Sequence, residues 1–235
     1  MSVAPDDPAA RIVVALDVDE LDRAVALARR LSGRVGWLKV GLELFTREGP
    51  RAVAAIAEHA PVFLDLKLHD IPTTVARCVA SVARLDAGLL TVHASGGPTM
   101  LRAAADAAGE ASGGRLRLLA VTVLTSTSDD ELAAMGSDGA EVQVPRLAAM
   151  AIASGIDGLV CAPVDLGRVR AAVGADAVVV TPGIRAQAAD SDDHARAMSA
   201  SAAVRAGADL LVIGRPITRA DDPVAAVEAI VATLT

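Results

Sequence analysis

The chain has 235 residues, 53% of them apolar, and a formal net charge of −7 at neutral pH, which is ample material for one large packed domain and argues against disorder. The acidic balance excludes a general attraction to phosphate backbones or anionic lipid, although a local basic pocket can still hold one phosphate. Tyrosine is absent and the aromatic residues are Trp37, Phe45 and Phe63, so stacking on nucleic-acid bases is not expected.

Residues 1–10 read as a short tail containing Pro5, Asp6, Asp7 and Pro8, with neither the basic n-region nor the apolar h-region of a signal peptide. No apolar run approaches the ~20 residues that span a bilayer, so a cytoplasmic protein with no membrane partner is expected. After the tail, Arg11 to Asp17 is an apolar run ending in an acid, and Glu20 to Leu31 has helical spacing, closed by Gly33. Trp37 to Gly41 is a second short strand with Lys39 inside it, followed by a predicted helix from about Gly49 to His59.

The third strand, Val62 to Leu68, is the most informative. Side chains alternate faces along a strand, so Phe63, Asp65 and Lys67 share one side while Val62, Leu64, Leu66 and Leu68 share an apolar one. Isolated charges in an apolar setting are costly, so this strand must pair its two charges or expose them to a site. Asp70 falls just past the strand end, and Pro72 suits the first turn of a helix reaching about Leu85. The pattern Asp65-x-Lys67-x-x-Asp70 thus predicts three charged groups converging on one pocket.

Leu89 to Ser95 is the predicted fourth strand, with Gly96, Gly97 and Pro98 leading into a helix to about Ala108, and Leu116 to Thr125 is the fifth. Two helical pieces follow, around 130–135 and 142–153. Gly158 to Ala162 is the sixth strand, with Asp165 capping a helix that ends near Gly174. Ala177 to Thr181 is the seventh, and after a polar loop and a helix ending at Ala206, Leu210 to Gly214 is the eighth. A helix over Val224 to Leu234 closes the chain. Cys78 in a predicted helix and Cys161 in a predicted strand have no CxxC or Cys/His cluster nearby, so buried reduced thiols are expected.

Eight short apolar strands alternating with helices, over a length near the roughly 250 residues usual for it, point to an α/β fold, a single (β/α)₈ TIM barrel over residues 1–235. A doubly wound open sheet explains the alternation too, but usually with fewer strands, and no GxGxxG follows the first strand.

In such a barrel the working face lies at the C-terminal ends of the strands. Asp17, Lys39, Asp65 and Lys67 fall there, with Asp70 just beyond, and their signs alternate around the barrel. Opposite charges ~4 Å apart attract by roughly 4 kcal/mol at the effective dielectric of such sites, enough to keep both lysines protonated. A protonated lysine in a dry pocket is a general acid; the alternative is an ion-pair network serving only the fold. Gly183 and Arg185 after strand seven, and Gly214 and Arg215 after strand eight, form the expected phosphate grip, since glycine admits backbone N–H groups and arginine adds a fork of donors. His93 is a possible substrate contact or a core histidine, His59 a helix-end residue, and Thr125 and Ser126 offer hydroxyls at the end of strand five. Residue chemistry alone gives a barrel enzyme acting on a phosphorylated small molecule.

The motifs Val14-Ala-Leu-Asp17, Leu38-Lys-Val-Gly41, Phe63-Leu-Asp-Leu-Lys-Leu-His-Asp-Ile-Pro72, Val92-His-Ala-Ser-Gly-Gly97, Ala120-Val-Thr-Val-Leu-Thr-Ser126, Thr181-Pro-Gly-Ile-Arg185 and Val212-Ile-Gly-Arg-Pro216 resemble, in order, those of the orotidine 5′-phosphate decarboxylase family. The resemblance implies conversion of orotidine 5′-monophosphate to UMP and CO₂ in pyrimidine biosynthesis, without cofactor or metal. It implies that Lys67 delivers a proton to C6, that Lys39, Asp65 and Asp70 complete a charge network, and that Asp17 holds the ribose. Thr125 would bond the pyrimidine, and Arg185, Gly214 and Arg215 the phosphate. Asp70, Ile71 and Thr74 would reach into a neighbouring subunit's site, making a homodimer with shared active sites. His194 stands where the family commonly has glutamine bridging phosphate and ring. Mg²⁺-dependent sugar-phosphate decarboxylases or synthases of the same suprafamily share Asp-x-Lys-x-x-Asp but carry an acid in place of Lys39, and a non-catalytic nucleotide-binding barrel would not need two lysines beside two aspartates.

Overall fold

A computed structural model describes residues 7–185 and 198–234. Eight parallel strands close into a barrel in which sequence neighbours pair and the last strand closes onto the first. They are β1 (Ile12–Ala15), β2 (Trp37–Gly41), β3 (Val62–Leu68), β4 (Ala87–His93), β5 (Arg117–Val121), β6 (Gly158–Val160), β7 (Val178–Thr181) and β10 (Leu210–Ile213). Helices intervene between successive barrel strands, so the fold is a (β/α)₈ TIM barrel. Two further short strands, β8 (Ile184–Arg185) and β9 (Met198–Ser199), pair parallel with each other beyond β7.

Barrel strands are covered on both sides, by the barrel's own filling inside and by helices outside, which is why they read as nearly unbroken apolar runs. Alternation sorts the two sides. Val13, Ala15, Phe63, Leu89, Leu119, Val178, Val180 and Val212 pack together inside the barrel. Val14, Leu38, Val40, Leu64, Leu90 and Val92 belong to the larger layer between strands and helices. Asp65 and Lys67 therefore follow Phe63 on the inner side, toward the C-terminal mouth.

Boundaries moved where local backbone chemistry intervened. A helix over Leu42–Glu48 precedes Pro50–Ala57, and Gly49, at φ 62°, separates two helices where one was expected. β5 stops at Val121; Thr122 then gives both its backbone N–H and its hydroxyl to the Val160 carbonyl, and the chain enters a loop lining the mouth. Asp165 precedes the helix Leu166–Val173 without a side-chain capping bond, and its carboxylate lies 3.5 Å from Arg168.

Candidate active site

Parallel register brings the charged residues together. Ala15 pairs with Lys39, and Gly41 with Asp65, so the ends of β1, β2 and β3 stand side by side at the mouth. Lys39 Nζ lies 3.1 Å from Asp17 Oδ1 and 3.4 Å from Asp65 Oδ2, while Lys67 Nζ lies 2.8 Å from Asp65 Oδ1. The Asp65 carboxylate is thus bridged by two ammonium groups, one on each oxygen. Its Oδ1 also accepts a hydrogen bond from the Thr91 hydroxyl at 2.9 Å.

Burial by itself would raise the Asp65 pKa, but the charges of Lys39 and Lys67, with hydrogen bonds from Lys67 and Thr91, outweigh it and hold the carboxyl below the ordinary aspartate value. The carboxylate is ionised at neutral pH, and both lysines face it as counter-charges. The Lys39 side chain is 9% exposed and that of Lys67 28%, so the first is locked in the wall and the second reaches into the opening. Gly41 makes room for this: a Cβ there would sit 3.1 Å from both Asp17 Oδ1 and Lys39 Nζ.

Above the network opens a cavity of about 490 Å³, the size of a small-molecule site. Asp17, Lys39, Asp65 and Lys67 line it, together with Thr125, Gly183, Gly214 and Arg215. Gly183 adopts φ 81°, the left-handed region, at the turn after β7. Gly214 precedes the short helix Arg215–Thr218. Gly214 stands next to the network, since a Cβ there would lie 3.9 Å from Asp17 Oδ2, so the loop after the last barrel strand and the acid–lysine network open onto one cavity.

Three of the residues expected around the substrate are turned elsewhere within this chain. Asp70, Ile71 and Thr74 do not line the cavity and are exposed, Ile71 at 66%. Asp70 Oδ1 instead accepts the backbone N–H of Ile71 at 2.7 Å. The convergence predicted for Asp65, Lys67 and Asp70 therefore holds only for the first two inside one chain. The reason is local: the strand ends at Leu68 and the chain swings outward toward Pro72 before Asp70 can point inward. His93 is half-buried with its ring 5.5 Å from that of His69, and it does not line the cavity. Burial, then the neighbouring His69 and Lys67, lowers its pKa against the opposing pull of Asp65. Arg185 is described in its backbone, in β8, and His194 lies outside the described residues.

Some lining residues carried no signal in the sequence. Arg219 lies four residues after Arg215, and both line the cavity. Val123, Leu124 and Cys161 give the cavity an apolar wall. Burial pushes the Cys161 thiol up to about 12, with Asp165 adding to the rise and Arg170 opposing it. Thr91, buried behind the network, was also not singled out.

Fold and site together define a barrel enzyme with a lysine–carboxylate network at its mouth. A family model described as "Orotidine 5′-phosphate decarboxylase / HUMPS family" matches residues 10–230, and the chain belongs to that family. It is 49% identical over 230 residues to an orotidine 5′-phosphate decarboxylase from Trichlorobacter lovleyi, covering 96% of this chain and 95% of the relative. It is 50% identical over 229 residues to one from Thermobifida fusca, covering 96% of each. Among solved structures, an orotidine 5′-phosphate decarboxylase from Lactobacillus acidophilus superposes with a TM-score of 0.82 at 37% identity, over 95% of this chain and 98% of that one. An uncharacterized conserved protein from Geobacillus kaustophilus gives the same TM-score of 0.82 at 35% identity, over 95% and 100% of the two chains.

Proposed function

We propose that this protein decarboxylates orotidine 5′-monophosphate to UMP and CO₂, with Lys67 as the group that protonates C6. The observation that carries the reading is the Asp65 carboxylate bridged by Lys39 and Lys67 at the cavity mouth. Loss of CO₂ leaves an electron pair on a ring carbon that the pyrimidine cannot delocalise well. Two fixed ammonium groups stabilise that charge without having to reorganise as it forms. Lys67, nearer the opening, then gives its proton to C6, the new C–H bond forming as the N–H bond breaks. Asp65 holds the Lys67 ammonium in place until that step.

Asp17, exposed at the rim and paired with Lys39, is assigned to the ribose hydroxyls, and Thr125 to the pyrimidine. The grip on the phosphate is assigned to Arg215, the backbone at Gly214 and Arg185. His194 is retained as a candidate contact to the same end of the substrate. Asp70, Ile71 and Thr74 are assigned to the site of a second subunit in a homodimer. Their exposure and their direction away from their own cavity support this, and a 66% exposed isoleucine is suited to burial against a partner.

The reaction as proposed needs no metal. Lys39 already occupies the space between Asp17 and Asp65, and two ammonium groups would repel a divalent cation. Both described cysteines are free thiols, which suits the reducing cytoplasm proposed as its location. The test is turnover of orotidine 5′-monophosphate by EDTA-treated protein, followed by the loss of substrate absorbance and chromatography of UMP. Full activity without added metal is expected. No turnover of the nucleotide, with Mg²⁺-dependent turnover of a keto-sugar phosphate instead, would move the protein to the sugar-phosphate members of its family.

A further inference from the structure

β3 and β4 are in register at Leu64↔Leu90 and again at Leu68↔Val92, so four residue steps of β3 run beside two of β4. The surplus lies at Asp65, Leu66 and Lys67. Lys67 adopts φ 51°, the one positive φ at a non-glycine among the described residues. An L residue enters that region rarely, and the surrounding structure must hold it there.

Thr91, on β4 and 0% exposed, stands opposite this bulge. Its hydroxyl oxygen accepts the backbone N–H of Lys67 at 2.8 Å, and its one proton goes to Asp65 Oδ1 at 2.9 Å. The same Oδ1 receives Lys67 Nζ at 2.8 Å. The result is a closed ring: Lys67 backbone, Thr91 hydroxyl, Asp65 carboxylate, Lys67 ammonium. Thr91 replaces the ladder hydrogen bond that the bulge removes, and it fixes the carboxylate that in turn fixes the ammonium. A hydroxyl in the middle of an apolar strand has no packing reason to be there, since valine would fill the same volume.

We propose that Thr91 is a positioning residue for the decarboxylation, holding Lys67 in its left-handed conformation and Asp65 in its orientation so that the lysine proton is delivered to the right place. The inference rests on the function proposed above for Lys67. A displacement of about 1 Å at a reacting group can cost on the order of 100-fold in rate, which sets the scale of the effect.

The experiment compares wild type with Thr91→Val, which keeps the shape and removes the hydroxyl, and Thr91→Ser, which keeps the hydroxyl. Expected for Thr91→Val is a kcat about 100-fold lower with KM and the Kd for UMP within about threefold, and for Thr91→Ser a kcat within about threefold of wild type. A residue that served only stability would lower Tm while leaving kcat per folded molecule unchanged, and that outcome overturns the proposal. If Thr91→Val does not fold, Thr91→Ala against Thr91→Ser asks the same question, and equal kcat in the pair overturns it. Crystal structures of the variants give a readout independent of the reaction. Expected in the hydroxyl-free variant is a Lys67 that has left positive φ or parted from Asp65. An unchanged ring geometry there overturns the proposal even if wild type proves to act on another substrate, a result that would reject the assigned reaction instead.

Discussion

At the base of the barrel, Arg170 and Asp209 form a part-buried ion pair at 2.6 Å, and at the mouth Lys67 and Asp65 form another at 2.8 Å. The basal pair is nearly saturated, with four of the five guanidinium N–H groups used. Arg170 also donates to the carbonyls of Gly207, Gly174 and Ala177, while Asp209 Oδ2 accepts the N–H of Val179. Gly207, at φ 107°, lets the arginine stem lie against the backbone, since a Cβ there would be 2.8 Å from Arg170 Cγ. The mouth pair has capacity to spare, for Lys67 carries three N–H donors, has one carboxylate partner among the described residues, and faces a cavity. Part-buried charges pair in both places. What marks the mouth as a candidate site is donors left over on a group that faces an opening, and what marks the base as a staple is donors largely consumed by strand and loop ends.

If the mouth is a working site completed by a second subunit, the largest effect after that of Lys67 itself comes from Asp70. Asp70→Ala should lower turnover by about 10²–10³-fold, as removal of one member of a preorganised charge network does, with little change in Tm. Mixing Lys67→Ala and Asp70→Ala chains after dissociation should restore about a quarter of wild-type activity, because about half of the re-paired dimers are mixed and each has one intact site. Tagged chains that co-purify while the mixture stays inactive would return Asp70 to its own chain's site.

The opposite signature is expected at the base. Arg170→Met should destabilise the fold by about 3 kcal/mol, since it leaves Asp209 charged and unpaired, while kcat per folded molecule stays at the wild-type value. Denaturant midpoints and active-site-normalised kinetics separate the two. A loss of kcat without loss of stability would erase the distinction between the ends.

A smaller effect is expected at the proposed phosphate end of the cavity. Arg215→Ala removes one charge-assisted grip on phosphate, about 1.5–3 kcal/mol, and should raise KM about 10- to 100-fold. Because binding at a remote group can also be used in the transition state, kcat falls too, though less. Orotidine lacking the phosphate should be a poor substrate for wild type and no worse for the variant. Equal turnover of nucleoside and nucleotide by wild type would remove the phosphate grip.

The smallest effect concerns Cys161, which lines the same cavity as Lys67 but lies in its apolar wall. With its pKa raised to about 12, only about one thiol in 10⁴ is ionised at pH 8. Iodoacetamide should spare Cys161 in the folded protein and label it on unfolding. Rapid labelling in the native state would contradict the apolar character assigned to that wall.

Much of the mouth was legible in the sequence because its logic is local. Asp65 and Lys67 share a face by the two-residue period of a strand, and an apolar opposite face fixes which side is inward. Lys39 joined them because parallel strands of a barrel end at one rim. The direction of Asp70 was not legible, since it depends on where the backbone turns after Leu68 rather than on residue spacing. Thr91 was invisible for a related reason: its role arises from a slip between β3 and β4, which no property of either strand alone records. The Arg170–Asp209 staple joins residues 39 apart through carbonyls at strand and loop ends, and the sequence shows neither the partners nor the geometry.

The proposed division of labour gives Lys67 the substrate and Arg170 the fold. The most direct measurement is turnover of orotidine 5′-monophosphate by Lys67→Ala, made on the same preparation as its Kd for UMP and its Tm. The account predicts turnover lower by at least about 10³-fold, UMP affinity within about threefold of wild type, and a cooperative thermal transition near that of wild type. Turnover within tenfold of wild type would contradict it and leave the mouth network, like the one at the base, a feature of the fold alone.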